Sequence, residues 1–348
     1  MIHGLATRLL RSQDPEAAHD LTIRALKAGL GPRSGPKFDP ALETMLAGIR
    51  LPNPIGLAPG FDKNAEVFAP MLRAGFGFVE AGTVTPKPQA GNPKPRLFRL
   101  TEDQAVINRM GFNNEGLEAF AQRLERRGRG RGVVGANIGA NKDSEDRIAD
   151  YVAGLVRLWG LADYFTINVS SPNTPGLRAL QTRGALEELL GRVSEACAEL
   201  PPRGRVPVFL KVAPDLDEAE VEAIVETAVA EDLSGIIVSN TTLSRPPLRS
   251  KYAGETGGLS GAPLFEPSTR VLRQFHTAAE GRLTLIGVGG VGSGEAAYAK
   301  IRAGASAVQL YSAMVYQGPG LVPRIARDLA ARLKADGFLT VAEAVGAG

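Results

Sequence analysis

From about residue 50 onward the chain alternates short apolar runs with amphipathic stretches, and the runs stop on glycine or small polar residues. The runs are Ile55–Ala58, Phe78–Thr83, Val133–Ile138, Tyr164–Val169, Pro207–Val212, Gly235–Ser239, Thr284–Val288 and Ala307–Leu310. Helical patterns lie between them, as in Ala185–Leu200, Glu218–Glu231 and Gly294–Ala303. Eight strands with helical connections argue for an α/β fold, a (β/α)8 TIM barrel. A doubly wound sheet reads the same way. The excursion from Val84 to Gly132 exceeds an ordinary connection and predicts extra strands at the barrel mouth.

Strand ends at a barrel mouth are where α/β enzymes place reactive groups. Ile167-Asn168-Val169-Ser170-Ser171-Pro172-Asn173 carries two amides and two hydroxyls onto a Pro/Gly-bounded loop. Alone it reads as a turn. Asn108, Asn137, Asn168, Asn173 and Asn240 all fall at strand ends or in the long insertion. An amide offers a donor and an acceptor together, so several converging amides suit a flat, uncharged heterocycle. Lys63 and Lys211 also sit at strand ends. A lysine in the apolar run Pro207–Val212 needs a structural carboxylate or an anionic ligand, or it serves as a Schiff-base nucleophile.

Gly287-Val288-Gly289-Gly290-Val291-Gly292 satisfies GxGxxG after a strand. A dinucleotide fold then needs an acidic residue about 20 positions on. Ala307–Ser312 has none, which excludes a Rossmann domain. The glycines and the junction at Tyr311-Ser312 match either a barrel phosphate site or a plain Gly-rich turn.

Cys197 is the only cysteine and the histidines are His3, His19 and His276, so no disulfide and no metal centre are expected. A net charge of +3 gives no reason to expect a nucleic-acid partner. No apolar run reaches the roughly 18 residues of a membrane span. Residues 1–30 instead read as two amphipathic helices. Ile2, Leu5, Leu9 and Leu10 share one face of the first; Asp14-Pro15 starts the second, which Gly29 and Gly31-Pro32 end. Such a basic pair of helices either packs on the protein's own core or lies on an anionic membrane.

Together these motifs resemble the class 2 dihydroorotate dehydrogenases, which are membrane-associated and quinone-reducing. The resemblance rests on Gly56–Asn64, Asn108–Asn114, Asn137–Lys142, the Ser171 stretch, Ser239–Thr242, Gly257–Gly261 and Val288–Gly290, and runs from Asp14 to Ser312. It implies oxidation of dihydroorotate to orotate in pyrimidine synthesis, with one FMN per chain and a membrane quinone as acceptor. Ser171 is then the general base, with Thr174 as a candidate in its proton relay and activity that rises with pH. The pyrimidine site would be Lys63, Asn108, Arg109, Met110, Gly111, Phe112, Asn168, Asn173, Asn240 and Thr241. Pro59, Gly60, Phe61, Asp62, Lys63, Thr83, Asn137, Asn168, Lys211 and Ser239 would touch the flavin, with its phosphate on Gly261, Gly290, Tyr311 and Ser312. Pro59 stands where many relatives carry a small residue.

By the same resemblance, residues 1–37 form a membrane-resting helical unit and 38–348 the catalytic barrel. Apolar residues from Ile2 to Leu30 would line a quinone tunnel ending near His19, Arg99 and Tyr311, and residues 174–184 would cover the pyrimidine. Peripheral attachment to the cytoplasmic face of the cell membrane, as a monomer, follows.

Overall fold

The computed structural model describes residues 10–31, 35–128, 132–202, 206–318 and 320–348. The first expected helix lies mostly outside these, with only residues 10–12 seen as helix. The second is α1 (Pro15–Lys27). Asp14 accepts from the backbone N–H groups of Glu16 (3.0 Å) and Ala17 (2.9 Å), and Pro15 occupies the first turn, so the expected start holds.

A short antiparallel hairpin, β1 (Thr44–Leu46) and β2 (Ile49–Leu51), comes next. The barrel follows as β3 (Ile55–Leu57), β4 (Phe78–Val84), β7 (Val133–Ile138), β8 (Tyr164–Asn168), β9 (Val208–Val212), β10 (Gly235–Val238), β12 (Thr284–Val288) and β13 (Ala307–Leu310). Every neighbouring pair is parallel, and β3 pairs with both β4 and β13, which closes the barrel. Closure excludes the doubly wound alternative. Helices cover the outside: α2 (Phe68–Arg73), α3 (Leu117–Glu125), α4 (Arg147–Leu158), α5 (Arg183–Glu199), α6 (Glu218–Ala230), α7 (Phe265–Ala279), α8 (Gly294–Arg302), α9 (Ser312–Gln317), α10 (Leu321–Ala335) and the short α11 (Val341–Ala344).

Phe78, Tyr164, Phe209, Ile237 and Ile286 fill the barrel interior, and Leu46 and Leu51 of the hairpin pack against them from below. Each such side chain is worth roughly 1.5–3 kcal/mol on burial. The hairpin was not anticipated. Its turn residues, Ala47 (φ 45°) and Gly48 (φ 90°), are both left-handed, and alanine there hides the usual Asn-Gly signal.

The expected mouth insertion holds β5 (Leu97–Leu100) and β6 (Ala105–Asn108). They form an antiparallel sheet with β11 (Gly258–Gly261), which joins from the far side of the barrel. Strand β11 is Gly-Leu-Ser-Gly, with one apolar side chain to announce it. Gly258 must lack a side chain: a Cβ there would lie 1.9 Å from Thr241 Oγ1.

Arg96, just before β5, fastens α1 over this sheet. Its guanidinium donates to Glu16 at 2.6 and 3.2 Å and to the carbonyls of Ala90 (2.6 Å) and Asn92 (2.8 Å). Burial raises the Glu16 carboxyl, but Arg96 and Lys94 more than offset this and hold it below its ordinary 4.5. The ion pair therefore contributes fully above that value, and its contribution is lost as pH falls through the lower folded one. Glu16→Gln at neutral pH is expected to do what acid does. Amide hydrogen exchange should accelerate through α1 while the barrel strands stay protected, and equal protection in both proteins would contradict this.

Candidate functional site

A cavity of about 1020 Å³ opens at the C-terminal ends of the barrel strands and runs beneath α1. Strand β8 ends on Asn168, whose amide Nδ2 donates to Thr83 Oγ1 (3.0 Å) and Asn137 Oδ1 (3.1 Å). Its Oδ1 accepts from Ser170 Oγ (3.0 Å) and, more weakly, from Asn240 Nδ2 (3.4 Å). Asn240 also donates to Ser170 Oγ (3.0 Å). Across the mouth, Asn173 Nδ2 reaches Asn108 Oδ1 at 3.3 Å. Four of the five singled-out amides, Asn108, Asn168, Asn173 and Asn240, thus line one cavity. Asn137 lies just behind the lining, where it accepts from Thr83 Oγ1 (2.5 Å) and donates to Glu80 (2.6 Å).

Ser171 is buried on the loop after β8, and its Oγ accepts from the Asn173 backbone N–H at 3.3 Å. Thr174 is buried on the same loop. Residues 174–184 fold as a short 3-10 turn over Leu177–Gln181. Arg178 ties that turn to the rim, donating to the carbonyls of Ser170 (3.1 Å) and Thr241 (2.9 Å) and pairing with Asp215 at 3.0 Å.

The lysines are buried in different settings. Burial lowers Lys211, opposed by Glu80 within the barrel. Lys63 is brought down to about 8 by burial, against the pull of Glu16 and Asp20 from α1. Both ammonium groups line the cavity, so an anionic or electron-accepting ligand would be welcome there.

Not every expected residue faces inward. Arg109 points away from the cavity, donating to Glu255 (2.8 Å) and to the Thr256 carbonyl (3.1 Å) and stacking over Phe98. Asp62 accepts from the backbone N–H groups of Glu66 (2.7 Å) and Val67 (2.8 Å), and burial pushes its carboxyl up to about 6. It serves the loop and does not line the cavity. Pro59, Gly60, Phe61, Met110, Gly111, Phe112, Thr83, Ser239 and Thr241 all do.

One end of the cavity is a cradle of backbone. Gly261, Gly290, Tyr311 and Ser312 line it, and Ser260 Oγ lies 2.8 Å from Ser312 Oγ at the start of α9. Gly290 has φ 72°, and a Cβ there would fall 2.4–2.7 Å from Phe265. Gly290→Ala is therefore expected to push the start of α7 aside and strip the purified protein of any phosphate-bearing group, measured as bound chromophore per chain. Full occupancy in the variant would contradict the cradle.

Towards α1, Tyr311 Oη lies 3.3 Å from His19 Nδ1, with the Phe61 ring edge-on to both. Burial and the nearby Lys63 charge drive His19 down to about 3, so its imidazole is neutral at neutral pH. Arg99 donates to the Leu10 carbonyl (3.1 Å) and to that of Gln13, which holds the chain entering α1. The three residues expected near the quinone do line the same cavity.

The residues fit a flat, polar-edged group with a phosphate. Among the described residues Thr241 Oγ1, Asn113 Oδ1 and Gln309 Oε1 are buried without a hydrogen-bond partner, and all three residues line this cavity. Sequence reasoning did not find Glu80, Arg96 or Arg178, which act through contacts between distant segments and carry no local signal.

Residues 41–333 match the family model described as dihydroorotate dehydrogenase. A dihydroorotate dehydrogenase (quinone) of Cereibacter sphaeroides is 59% identical over 348 residues, covering 100% of this chain and 98% of its own. One from Rhodospirillum rubrum is 58% identical, covering 99% and 94%. The solved structure of ligand-free DHODH from Eimeria tenella superposes with a TM-score of 0.92 at 42% identity, covering 96% of this chain and 99% of that one.

Proposed function

Because the chain belongs to the dihydroorotate dehydrogenase family, we propose that this cavity oxidises dihydroorotate to orotate for pyrimidine biosynthesis, with FMN as resident cofactor and a membrane quinone as acceptor. The observation that carries the reading is the convergence of four amides and a buried serine on one cavity that also holds a glycine cradle and two buried lysines.

Bound FMN supplies a two-electron acceptor that takes hydride from one ring carbon and gives up its electrons elsewhere. The remaining work falls to the chain. Ser171 Oγ removes the proton from the adjacent ring carbon, and Thr174 is the candidate next carrier. Asn108, Asn168, Asn173, Asn240 and Thr241 hold the pyrimidine edge, and the otherwise unpartnered Thr241 Oγ1 supports that role. Lys63 meets the substrate carboxylate. Lys211 places positive charge where the reaction delivers electrons. Gly261, Gly290, Tyr311 and Ser312 receive the phosphate, and Pro59, Gly60 and Thr83 border the flavin. The turn after Ser171 keeps water from the pyrimidine.

Residues 1–37 form the membrane and quinone unit in this reading, and 38–348 the catalytic barrel. No helix among the described residues is long and apolar enough to cross a membrane. Leu21 and Leu30 are exposed on and just after α1, beside Arg24 and Lys27, which supports peripheral contact with a membrane surface; a monomer at the cytoplasmic face is part of the same proposal.

Steady-state turnover of dihydroorotate with a soluble quinone, compared with fumarate and NAD, tests the acceptor. Turnover with quinone alone is expected, and a preference for fumarate or NAD would refute it. Leu21→Asp combined with Leu30→Asp is expected to lower co-flotation with anionic vesicles several-fold and leave anaerobic substrate oxidation intact. Unchanged flotation would count against the membrane surface.

A further inference from the structure

Lys300 on α8 is fully buried, forms no ion pair among the described residues, and has no part in the chemistry above. Its Nζ donates to Ser268 Oγ (2.9 Å) and Thr269 Oγ1 (3.1 Å) on α7, and lies over the Phe265 ring. Ser268 Oγ in turn sits 2.6 Å from the Leu264 carbonyl, 3.1 Å from that of Phe265 and 3.3 Å from that of Gly289. Three carbonyls therefore converge on a hydroxyl that a buried ammonium supports from behind.

Two of those peptides matter for the cavity. A trans peptide points its C=O and N–H in opposite directions. With the Gly289 carbonyl turned inward to Ser268, the N–H of Gly290 is turned the other way, toward the cradle that Gly289 and Gly290 line. Leu264 and Phe265 belong to the turn that enters α7, directly beside Gly290. A buried cation with no carboxylate partner is unfavourable on its own. Glu266 attracts it from beyond ion-pair distance and Arg273 repels it, so a dianion on the other side of this thin wall would add opposite charge that the helices do not supply at close range.

We propose that Lys300 is a positioning residue for the cofactor phosphate, fixing the Gly289–Gly290 peptide through Ser268 and supplying positive charge behind the cradle. The proposal rests on the FMN reading above. Burial, helped by the Arg273 charge and opposed by Glu266, brings the Lys300 amine down to about 7, so a phosphate nearby would favour its charged form.

FMN and riboflavin share the ring and ribityl chain and differ in the phosphate, so they isolate this effect. The full-length protein, freed of flavin, is titrated with each by fluorescence quenching, as wild type and as Lys300→Met. The variant is expected to weaken FMN roughly tenfold while riboflavin changes less than twofold. Equal weakening of both would reduce Lys300 to packing and overturn the proposal, as would unchanged binding of both. Lys300→Gln gives the same comparison if the methionine variant does not fold. Failure of the wild type to bind FMN would instead overturn the FMN reading itself.

Discussion

Ser171→Ala is expected to slow dihydroorotate-driven flavin reduction by about 10²–10⁴-fold, the usual contribution of a positioned general base. The side chain is buried, and its Oγ accepts a backbone N–H from Asn173, so its position is set by the loop. Removing the hydroxyl deletes one hydrogen bond to that backbone and leaves the Asn173–Asn108 and Asn240–Asn168 contacts in place. Orotate affinity and flavin content should therefore change little. A serine hydroxyl is a weak base at neutral pH, so the wild-type reduction rate should rise with pH and the variant's residual rate should lose that slope. Anaerobic stopped-flow at several pH values reads both. A variant within threefold of wild type would remove Ser171 from the chemistry.

Glu80→Leu is expected to cost about 3–5 kcal/mol of stability, because it leaves three buried donors without an acceptor at about 1–3 kcal/mol each. Glu80 is wholly buried inside the barrel and accepts from Asn137 Nδ2 (2.6 Å), Gln309 Nε2 (2.6 Å) and Tyr164 Oη (3.1 Å). Leucine strands those three donors and removes the charge that favours the protonated form of Lys211. The effect reaches the site because Glu80 also sets the sense of the amide chain. With the Asn137 N–H₂ drawn to Glu80, its oxygen faces Thr83 and Asn168. Asn168 then turns its own oxygen to Ser170 and Asn240. Glu80→Gln, which brings donors of its own, should cost less stability yet still weaken orotate binding. Urea denaturation and orotate titration separate the two effects. A denaturation midpoint unchanged in Glu80→Leu would show that the carboxylate is not a hub.

The barrel was legible because its signal is periodic. Each strand is a short apolar run closed by glycine or a polar cluster, and the three helices named from the pattern, α5, α6 and α8, begin and end within two residues of where it places them. The cluster around Ser171 was legible because amides recur at those strand ends. What was missed is non-local or nearly featureless. Strand β11 is half glycine, and the bottom hairpin turns on an alanine. Arg109 shows the limit of reading a motif as a block. Side chains alternate along an extended chain, so Asn108 faces the cavity while its neighbour turns outward to Glu255. The Arg96–Glu16 pair joins residues 80 positions apart, and the Lys300–Ser268 contact joins different helices. Neither has a sequence signature.

The most direct measurement is the visible spectrum of the purified protein under anaerobic conditions, before and after dihydroorotate and then after a soluble quinone. Flavin bands that bleach with dihydroorotate and return with quinone are the expected result. Flavin bands indifferent to dihydroorotate would contradict the substrate assignment of the amide cluster, and a colourless protein unable to take up FMN would contradict the redox reading as a whole.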